Sequence, residues 1–518
     1  MRKSGIFRVP PRLQSEIATL RWTLPAPDCE SEIPMTTTET TPMNSQTNPA
    51  NDDGHHAPKW PAPVYHDILE MIGNTPMLEL QKLDSGKCKL FGKLELMNPG
   101  GSVKDRIGLR MIVEAEKAGQ LKPGGTIVEG TAGNTGLGLA LVGSLRGYKV
   151  KVVMPDKMSQ EKVDHLKALG AEVIMTRSDV PKGHPDYYQD LAQRIAEEEG
   201  GFYVNQFGNP NNVAAHYDTT GPEVWEQLDH QVDAIVFGVG SGGTLAGTAK
   251  YLKEQNPDID IILADPDGSV LEPLVERNET VEPGAWLVEG IGEDFVPPIL
   301  DLGLVDKAYS VTDCESFMAA RECLHKEGLL IGSSSGCLLE AALRYCREQT
   351  EQKNVVVIVA DTGNKYLTKM FSDFWMIEQG FIKREQHGDL RDLIARRHLN
   401  HEDFVVSPTD TLAIAQGRMK MYGISQIPVC DQNSKIVGIV DESDVLLAVN
   451  ADPAAFKEIV ENHMITKLET LPSSASVKEL VPIFRAGKVA LIADDEAYYG
   501  LITQIDLLHY LRRQAQNT

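Results

Sequence analysis

The chain has 518 residues, a length that predicts about two to four domains with apolar content for sizeable cores. Its formal charge of −24 argues against a nucleic-acid or anionic-membrane partner, because no basic stretch of comparable size offsets it. No apolar run approaches membrane-spanning length. The seven scattered cysteines lack metal-ligand spacing and indicate a reducing, cytoplasmic location rather than a disulfide framework.

Residues 1–60 are predicted to form a disordered leader. They are rich in Pro, Thr, Ser, Asn and Glu, and they show no sustained hydrophobic periodicity. Five basic residues accompany the single acidic residue Glu16 in the first 21 positions, which leaves an organelle-targeting role as an alternative.

From residue 61 to residue 380, short apolar runs alternate with amphipathic segments. Runs that are apolar throughout and separated by helices predict parallel sheets covered on both faces, with ligands bound at the carboxyl ends of the strands. The predicted strands are Thr126–Glu129, Val150–Met154, Ala171–Thr176, Phe202–Asn205, Ala234–Phe237, Ile261–Ala264 and Val355–Ala360.

The first candidate functional residue is Lys104, in the segment Asn98-Pro-Gly-Gly-Ser-Val-Lys-Asp-Arg106. Its amine would stand at a helix start directly after a Gly-Gly-Ser turn. An amine so placed can form a Schiff base with an aldehyde cofactor and later act as a base. Considered alone, the position of Lys104 would favour one of many solvated helix lysines, and the interpretation as a cofactor lysine depends on the elements that follow.

The second element is the loop Gly130-Thr-Ala-Gly-Asn-Thr-Gly136, which follows a predicted strand and opens a helix. Its glycines allow close approach of a ligand to the backbone, and free N–H groups at the helix start suit a carboxylate. Asn134 can donate a hydrogen bond to a phenolate oxygen.

The third element, Gly238-Val-Gly-Ser-Gly-Gly-Thr244, also joins a strand to a helix and suits a phosphate. It fits a dinucleotide fingerprint as well, with Asp265 as the ribose-binding acid, and alone it would favour a dinucleotide.

The fourth element is Ile331-Gly-Ser-Ser-Ser-Gly336. A hydroxyl from Ser334 facing a pyridine nitrogen would leave the ring unprotonated and favour prompt β-elimination. Helix capping is the alternative role for these serines. Together the four elements predict a pyridoxal phosphate site.

Residues 381–399 are predicted to be a linker, followed by an internal repeat over residues 400–518. Gly438-Ile-Val-Asp-Glu-Ser-Asp444 is echoed by Gly500-Leu-Ile-Thr-Gln-Ile-Asp506. Two β-α-β-β-α units, at about 400–455 and 456–518, would form a pseudo-symmetric pair.

Residues 65–380 resemble the fold-type II pyridoxal phosphate enzymes of the cysteine synthase and cystathionine β-synthase group. The motifs that carry the resemblance are NPGGSVKDR, GTAGNTG, GVGSGGT, EGIGEDF and LLIGSSSG. Residues 400–518 are similar to a tandem CBS-domain pair, a module that binds adenosyl ligands in many proteins. The resemblance therefore implies an α/β fold-type II catalytic domain followed by such a pair.

The family assigns roles to the matching positions. It implies that Lys104 carries the cofactor, Asn134 holds its 3′-oxygen and Ser334 its ring nitrogen. The phosphate-binding residues would be Gly240, Ser241, Gly242, Gly243 and Thr244, and the residues holding the substrate carboxylate would be Thr131, Thr135 and Gln206. Ala132 and Glu293 depart from the common family residues, which leaves substrate preference open.

The implied reaction joins L-serine and L-homocysteine to give L-cystathionine and water in a homodimeric enzyme. Lys104 would remove the α-proton of serine and return it after the homocysteine thiolate has added. One alternative is a cysteine synthase using O-acetylserine and sulfide, to which Gln206-Phe-Gly-Asn-Pro210 is somewhat similar. Another is an adenosyl-ligand sensor on an inactive scaffold.

In the CBS-domain pair, Thr503 with Asp506 matches the hydroxyl and carboxylate of a ligand-binding repeat. The first repeat places Asp441 ahead of Asp444, so an anionic ligand would be repelled there. Any adenosyl ligand is therefore expected near Thr503 and Asp506, with Asp444 in the weaker site. Packing between subunits is the alternative role of the pair.

Haem in the leader is not expected, because Cys29 lacks the following tryptophan that haem-binding relatives carry. His55 and His56 are nevertheless plausibly placed in the leader for such a role.

Overall fold

The protein is represented by a computed structural model, which describes residues 64–131, 133–156, 158–494 and 497–516. The predicted leader, the two histidines and the cysteine considered for haem, and Ala132 lie outside these residues.

Two sheets form the framework of the region up to residue 380. A six-stranded sheet has the order β1-β2-β10-β7-β8-β9, and a four-stranded sheet has the order β5-β4-β3-β6. Every neighbouring pair is parallel except β1 with β2 at one edge. The strands are β1 (Met77–Glu79), β2 (Lys89–Lys93), β3 (Thr126–Gly130), β4 (Lys149–Pro155), β5 (Glu172–Thr176), β6 (Phe202–Tyr203), β7 (Ala234–Gly238), β8 (Asp260–Pro266), β9 (Lys307–Val311) and β10 (Asn354–Ile358).

Helices connect these strands, as expected for parallel sheets covered on both faces. The α-helices are α1 (Lys104–Lys117), α2 (Asn134–Leu145), α3 (Gln160–Ala168), α4 (Tyr188–Glu199), α5 (Pro210–Ala215), α6 (Gly221–Gln227), α7 (Gly243–Gln255), α8 (Leu271–Arg277), α9 (Asp313–Glu327), α10 (Ser333–Glu348) and α11 (Asp373–Glu378). Each of the seven predicted strands is present. The sequence analysis did not predict β1, β2 and β9. The reason is that β1 has only three residues, β2 (KLFGK) has a short apolar run between two lysines, and β9 (KAYSV) shows no continuous apolar run.

A close crossing of two helices fixes the position of Lys104. A Cβ atom added to Gly108 would lie 2.7 Å from the backbone of Gly138, and one added to Gly138 would lie 2.7 Å from the carbonyl oxygen of Lys104. Only glycine allows the backbones of α1 and α2 to approach this closely. The start of α1 is thereby held against the start of α2, where the Gly130–Gly136 loop ends.

A buried ion cluster anchors the other face of α1. The Arg106 guanidinium donates to both carboxylate oxygens of Glu95, at 2.7 and 2.8 Å, and to both of Glu223, each at 2.7 Å. Lys93 donates to Glu223 at 2.6 Å. Arg106, Glu95 and Lys93 are all less than 5% exposed. Burial by itself disfavours the charge on Glu95, but Arg106 lowers the pKa of that carboxyl to about 2.

The C-terminal region contains two small sheets with separate cores. β11 (Gln426–Cys430) pairs antiparallel with β12 (Ile436–Asp441), while β14 (Ala490–Ala493) lies between β13 (Thr470–Leu471) and β15 (Tyr498–Ile502). The helices are α12 (Leu412–Tyr422), α13 (Glu442–Ala451), α14 (Val477–Arg485) and α15 (Gln504–Gln516). Leu390, Leu393 and Ile394, from the predicted linker, pack into the second core with Leu480 and Ile502.

Among the described helices, none is both long and apolar enough to cross a bilayer.

Candidate active site

A cavity of about 500 Å³ lies where the predicted functional loops converge. Ala360, two residues after the end of strand β10, lines it together with the loops. Of the eleven residues predicted to bind cofactor or substrate, nine line the cavity: Lys104, Thr131, Asn134, Thr135, Gln206, Gly240, Ser241, Thr244 and Ser334. Gly242 and Gly243 belong to the same Gly238–Thr244 segment as Gly240 but are not among the cavity-lining residues. The carboxyl ends of parallel strands bring these distant segments together, as the strand pattern predicts.

Lys104 is the first residue of α1, and its side chain is half-buried in the cavity wall. Burial lowers the pKa of its amine to about 8, against the opposing effect of the carboxylates of Asp361 and Glu293. At neutral pH a far larger share of Lys104 is uncharged than of an ordinary lysine. An uncharged amine is the form that attacks an aldehyde or accepts a proton.

The Gly130–Gly136 loop presents backbone and hydroxyl groups to the cavity. Gly133 has φ of +151°, a conformation that favours glycine, and α2 begins at the next residue. The Thr135 hydroxyl donates to Gln206 Oε1 at 2.6 Å, and both residues are buried. Thr131 is also buried and accepts from the Gly133 N–H at 3.3 Å. The three residues predicted to hold a substrate carboxylate thus lie together beside a helix N-terminus.

Asn134 is held from both ends of its amide by residues that the sequence analysis missed. Lys365 donates to Asn134 Oδ1 at 2.9 Å, and Asn134 Nδ2 donates to Asp361 at 2.8 Å. One N–H of the amide remains for a further acceptor. Asp361 is completely buried, also accepts from the Tyr366 hydroxyl at 2.8 Å, and follows strand β10. The sequence signal that could have identified Asp361 is the segment Ala360-Asp-Thr-Gly363, which follows a predicted buried strand.

The Gly238–Thr244 loop has the close packing expected of a phosphate cradle. A Cβ atom on Gly240 would lie 2.6 Å from the carbonyl oxygen of Gly290, and Gly242 has φ of +88°. A Cβ atom on Gly243 would overlap the Asn212 amide, which donates to Ser241 Oγ at 2.9 Å. Helix α7 begins at Gly243, so its free N–H groups are available to an anion that binds in the loop.

His216 contacts the Gly238–Thr244 loop through the side chain of Thr244. No motif in the sequence predicted this contact. His216 lies in a π-helix (His216–Thr220), a rare form that often occurs at functional sites. Its Nε2 is 3.2 Å from Thr244 Oγ1, and its Nδ1 is 2.9 Å from Thr220 Oγ1. Burial lowers the pKa of His216 to about 3. The ring is therefore neutral and orients the Thr244 hydroxyl without adding charge.

Asp265 does not face a ligand. It is completely buried, it accepts from the Glu272 N–H at 2.8 Å, and burial raises its pKa to about 6. A carboxylate so enclosed cannot bind the ribose of a dinucleotide, and Asp265 is not among the cavity-lining residues. The geometry therefore removes the dinucleotide alternative.

Ser334 lies in the first turn of α10, with its buried side chain at the cavity. Its neighbours are occupied elsewhere. Ser333 Oγ accepts from the Glu289 N–H at 3.1 Å, and Ser335 Oγ accepts from the Ala360 N–H at 2.9 Å. Ser334 is thus the serine of this turn that can serve a ligand.

A further group of charged side chains lines the cavity. Lys162 donates to one oxygen of Glu289 and Lys369 to the other, each at 2.6 Å. Glu293 also lines the cavity, and its carboxylate partly opposes the lowering of the pKa of Lys104 by burial.

In the C-terminal region, the predicted ligand residues bond within their own turns. The Thr503 N–H and hydroxyl donate to Asp506 at 2.7 and 2.5 Å. Asp441 and Asp444 form a reciprocal cap of α13, in which each carboxylate accepts the backbone N–H of the other, at 2.8 and 3.0 Å. Burial and the neighbouring Asp441 raise the pKa of Asp444.

The cavity fits pyridoxal phosphate by the chemistry of its donor set. It combines an amine whose pKa is lowered, a glycine cradle at a helix N-terminus, an amide with one N–H to spare and a buried hydroxyl. These groups match the aldehyde, the phosphate, the 3′-oxygen and the ring nitrogen of that cofactor in kind.

Comparison with known proteins agrees with this chemistry. A family model described as pyridoxal-phosphate dependent enzyme matches residues 68–361, and a CBS domain model matches residues 391–451 and 457–513. Cystathionine β-synthase of Apis mellifera is 36% identical over 462 residues, which cover 87% of this chain and 91% of the relative. The enzyme of the same name from Oryctolagus cuniculus is 37% identical, over 90% of this chain and 89% of the relative.

Two further similarities cover the catalytic region. An O-acetylserine dependent cystathionine β-synthase of Bacillus subtilis is 44% identical, over 59% of this chain and 97% of that protein. A solved hydrogen sulfide-producing enzyme of Fusobacterium nucleatum has a TM-score of 0.55 at 37% identity, covering 59% of this chain and 100% of that one. Because the similarity to the full-length relatives extends through both the cofactor-binding region and the paired C-terminal repeats, the chain belongs to the cystathionine β-synthase family of pyridoxal-phosphate-dependent enzymes.

Proposed function

We propose that this protein joins L-serine and L-homocysteine by β-replacement to give L-cystathionine and water. The observation that carries the proposal is the convergence, in one cavity, of Lys104 with three ligand-binding loops. Relatives named cystathionine β-synthase that match most of the chain support it.

The residues that would hold the cofactor are Lys104, Asn134, Ser334 and the Gly240–Thr244 segment. Bound pyridoxal phosphate supplies an electron sink for the carbanion at the substrate α-carbon. The Ser334 hydroxyl would face its ring nitrogen, and the spare N–H of Asn134 its 3′-oxygen.

The remaining chemistry belongs to side chains of this chain. Thr131, Thr135 and Gln206 bind the serine carboxylate beside the start of α2, which orients the α-hydrogen. The amine of Lys104 removes that hydrogen as a proton, and the 3-hydroxyl leaves. The proton that the homocysteine thiol gives up completes the water molecule. After the homocysteine sulfur has bonded to the same β-carbon, Lys104 returns the proton to the α-carbon. A pKa near 8 lets one amine serve as base and then as acid.

A donor other than serine is the second candidate. The Bacillus subtilis relative is named for dependence on O-acetylserine, and it matches the catalytic region at 44% identity. Two positions depart from the common family residues: Ala132, within the Gly130–Gly136 segment of the sequence, and Glu293, which lines the cavity. A role as an inactive sensor has less support, because Lys104 and the predicted cofactor-binding residues of the three loops are all present.

One assay separates these functions. The purified protein, loaded with cofactor, is supplied with serine plus homocysteine and then with O-acetylserine plus sulfide, and the products are identified by mass. We expect cystathionine from the first pair at the higher kcat/KM. Cysteine from the second pair as the preferred product would instead identify a cysteine synthase.

We propose that the CBS-domain pair binds an adenosyl ligand near Thr503 and Asp506, with Asp444 in a second, weaker site. Both carboxylates are already engaged by backbone N–H groups, but a carboxylate oxygen accepts more than one hydrogen bond. The crowding of Asp441 and Asp444 disfavours an anionic ligand in the first repeat.

Calorimetric titration of the full-length protein tests this site. We expect S-adenosylmethionine to bind with an affinity that Asp506→Ala lowers about tenfold, whereas AMP binds weakly at the first repeat. Asp452→Ala, a change of an aspartate that caps a neighbouring short helix of the first repeat, is the control. Tight AMP binding that survives Asp506→Ala would contradict the assignment.

We also propose a homodimer in a reducing, cytoplasmic location. The six cysteines among the described residues are all free, and five of them are buried. Sedimentation analysis would test the dimer.

A further inference from the structure

One part of the cavity wall carries charge that the binding of cofactor and serine does not use. Lys162, Glu289 and Lys369 line the cavity, with the two ammonium groups each 2.6 Å from a different oxygen of Glu289. The Lys162 side chain is 2% exposed and that of Glu289 is 7% exposed, while that of Lys369 retains 27% exposure. The cluster is therefore built into the wall, with one member open to an incoming molecule.

The position of Lys162 is closely defined. Its side chain passes directly beside Gly133, where an added Cβ atom would lie 2.7 Å from Lys162 Cδ and 3.3 Å from Nζ. Its ammonium also lies 4.8 Å from the centre of the Tyr366 ring. Because Gly133 belongs to the loop proposed to hold the serine carboxylate, the charged cluster adjoins the site of the first substrate.

The charges in the cluster do not cancel. Two ammonium groups share the one carboxylate of Glu289, so this cluster keeps a net positive charge. The nearby ammonium of Lys365, whose pKa is lowered by burial and in part by Lys162, adds to the positive field. A partly buried excess charge is stabilised when a counter-ion reaches it in a geometry that allows charge-assisted hydrogen bonds.

The second substrate of the proposed reaction has groups that match the cluster. Its sulfur must reach the β-carbon of serine, while its α-carboxylate and α-ammonium remain two methylene groups away. Lys162 and Lys369 offer donors for the carboxylate, and Glu289 offers an acceptor for the ammonium. A thiol without these groups gains nothing from the cluster.

We propose that Lys162 and Lys369, held by Glu289, form the subsite that binds the α-carboxylate of the thiol-bearing amino acid. The inference rests on the proposed function and adds the residues that select the second substrate. It assigns these lysines to binding rather than to proton transfer.

The test compares two thiols in the cofactor-loaded full-length enzyme at saturating L-serine. One is L-homocysteine, and the other is 2-mercaptoethanol, which has neither carboxylate nor ammonium. The variants are Lys369→Gln and Lys162→Gln. Lys167→Gln is the matched control, because Lys167 lies on the same helix α3 as Lys162 but is exposed and does not line the cavity. Exchange of the α-hydrogen of serine in D2O measures the first half of the reaction separately.

We expect each cavity variant to raise the KM for homocysteine about tenfold or more, as loss of a charge-assisted hydrogen bond does. The KM for 2-mercaptoethanol should change less than about twofold, and Lys167→Gln should match the wild type. An unchanged homocysteine KM in both variants would overturn the inference, as would an equal rise for both thiols. If Lys162→Gln fails to fold, Lys369→Gln decides alone.

Failure of the proposed function would give different results from failure of this inference alone. A wild-type enzyme that exchanges the serine α-hydrogen but makes no cystathionine would refute both proposals. A wild-type enzyme that makes cystathionine while its variants keep a normal homocysteine KM would refute this inference alone.

Discussion

Lys104→Ala is expected to lower the rate of cystathionine formation by about 10³-fold or more and to remove the yellow absorption of the bound cofactor. The substitution deletes both the amine that bonds the cofactor aldehyde and the base that moves the α-proton of serine, and loss of a positioned base alone costs about 10²–10⁴-fold. Of the described lysines that line the cavity with Lys104, Lys162 and Lys369 are both held by Glu289, so neither replaces it readily. Absorption spectra and product formation measured by mass would report the two losses.

Lys117→Ala is the matched control for this variant. Lys117 ends the same helix α1, where it is exposed and pairs with Glu114. Its loss should leave absorption and rate within about twofold of the wild type, since exposed pairs contribute little. An unchanged yellow band in Lys104→Ala would show that another amine carries the cofactor. Activity above about a tenth of the wild-type rate would show that another group is the base.

The parallel framework and the contents of the cavity could be predicted from the sequence, because both follow from local patterns. Continuous apolar runs such as Val355–Ala360 predict buried strands, and glycine-rich turns after them predict ligand loops. Nine predicted residues line one cavity for this reason. The strand β9 was missed because its side chains are partly polar, and its place at the edge of the sheet, beside β8, depends on tertiary pairing.

Residues that support the site from a distance in sequence could not be predicted. Asp361 lies 227 positions from its partner Asn134, and Lys162 lies 127 positions from Glu289. Nothing local in the sequence pairs such residues, because the contacts arise only when the two sheets bring their loops together. His216 is a further example, since its neutral state results from burial rather than from its neighbours in the chain.

The NPGGSVKDR motif illustrates the same limit within one segment. The motif was predicted to be a cofactor-binding element, and Lys104 does line the cavity. Arg106, two positions later, points away into the buried cluster with Glu95 and Glu223. The motif therefore combines one residue placed for chemistry with one that anchors the helix carrying it.

Arg106→Met is accordingly expected to lower the free energy of unfolding by about 3–5 kcal/mol, which corresponds to a fall of roughly 6–20 °C in the midpoint of the affected thermal transition. The change leaves the buried Glu95 carboxylate without its cation. Arg110→Met, one turn further along α1, removes a partly exposed arginine that pairs with Glu114 and Asp218, and it should cost less than about 1 kcal/mol. Thermal unfolding followed by circular dichroism would measure both variants.

The pH dependence separates loss of the ion cluster from loss of packing volume. In the wild type the pKa of Glu95 is lowered to about 2, so the stability that ionised Glu95 contributes is fully present above about pH 4.5 and is lost as pH falls toward 2. In Arg106→Met burial acts unopposed by the guanidinium, and Glu95 takes up its proton at a higher pH. The difference in midpoint between wild type and variant should therefore narrow as pH falls below about 4.5. A difference that stays constant with pH, or one matched by Arg110→Met, would show that Arg106 acts through packing alone.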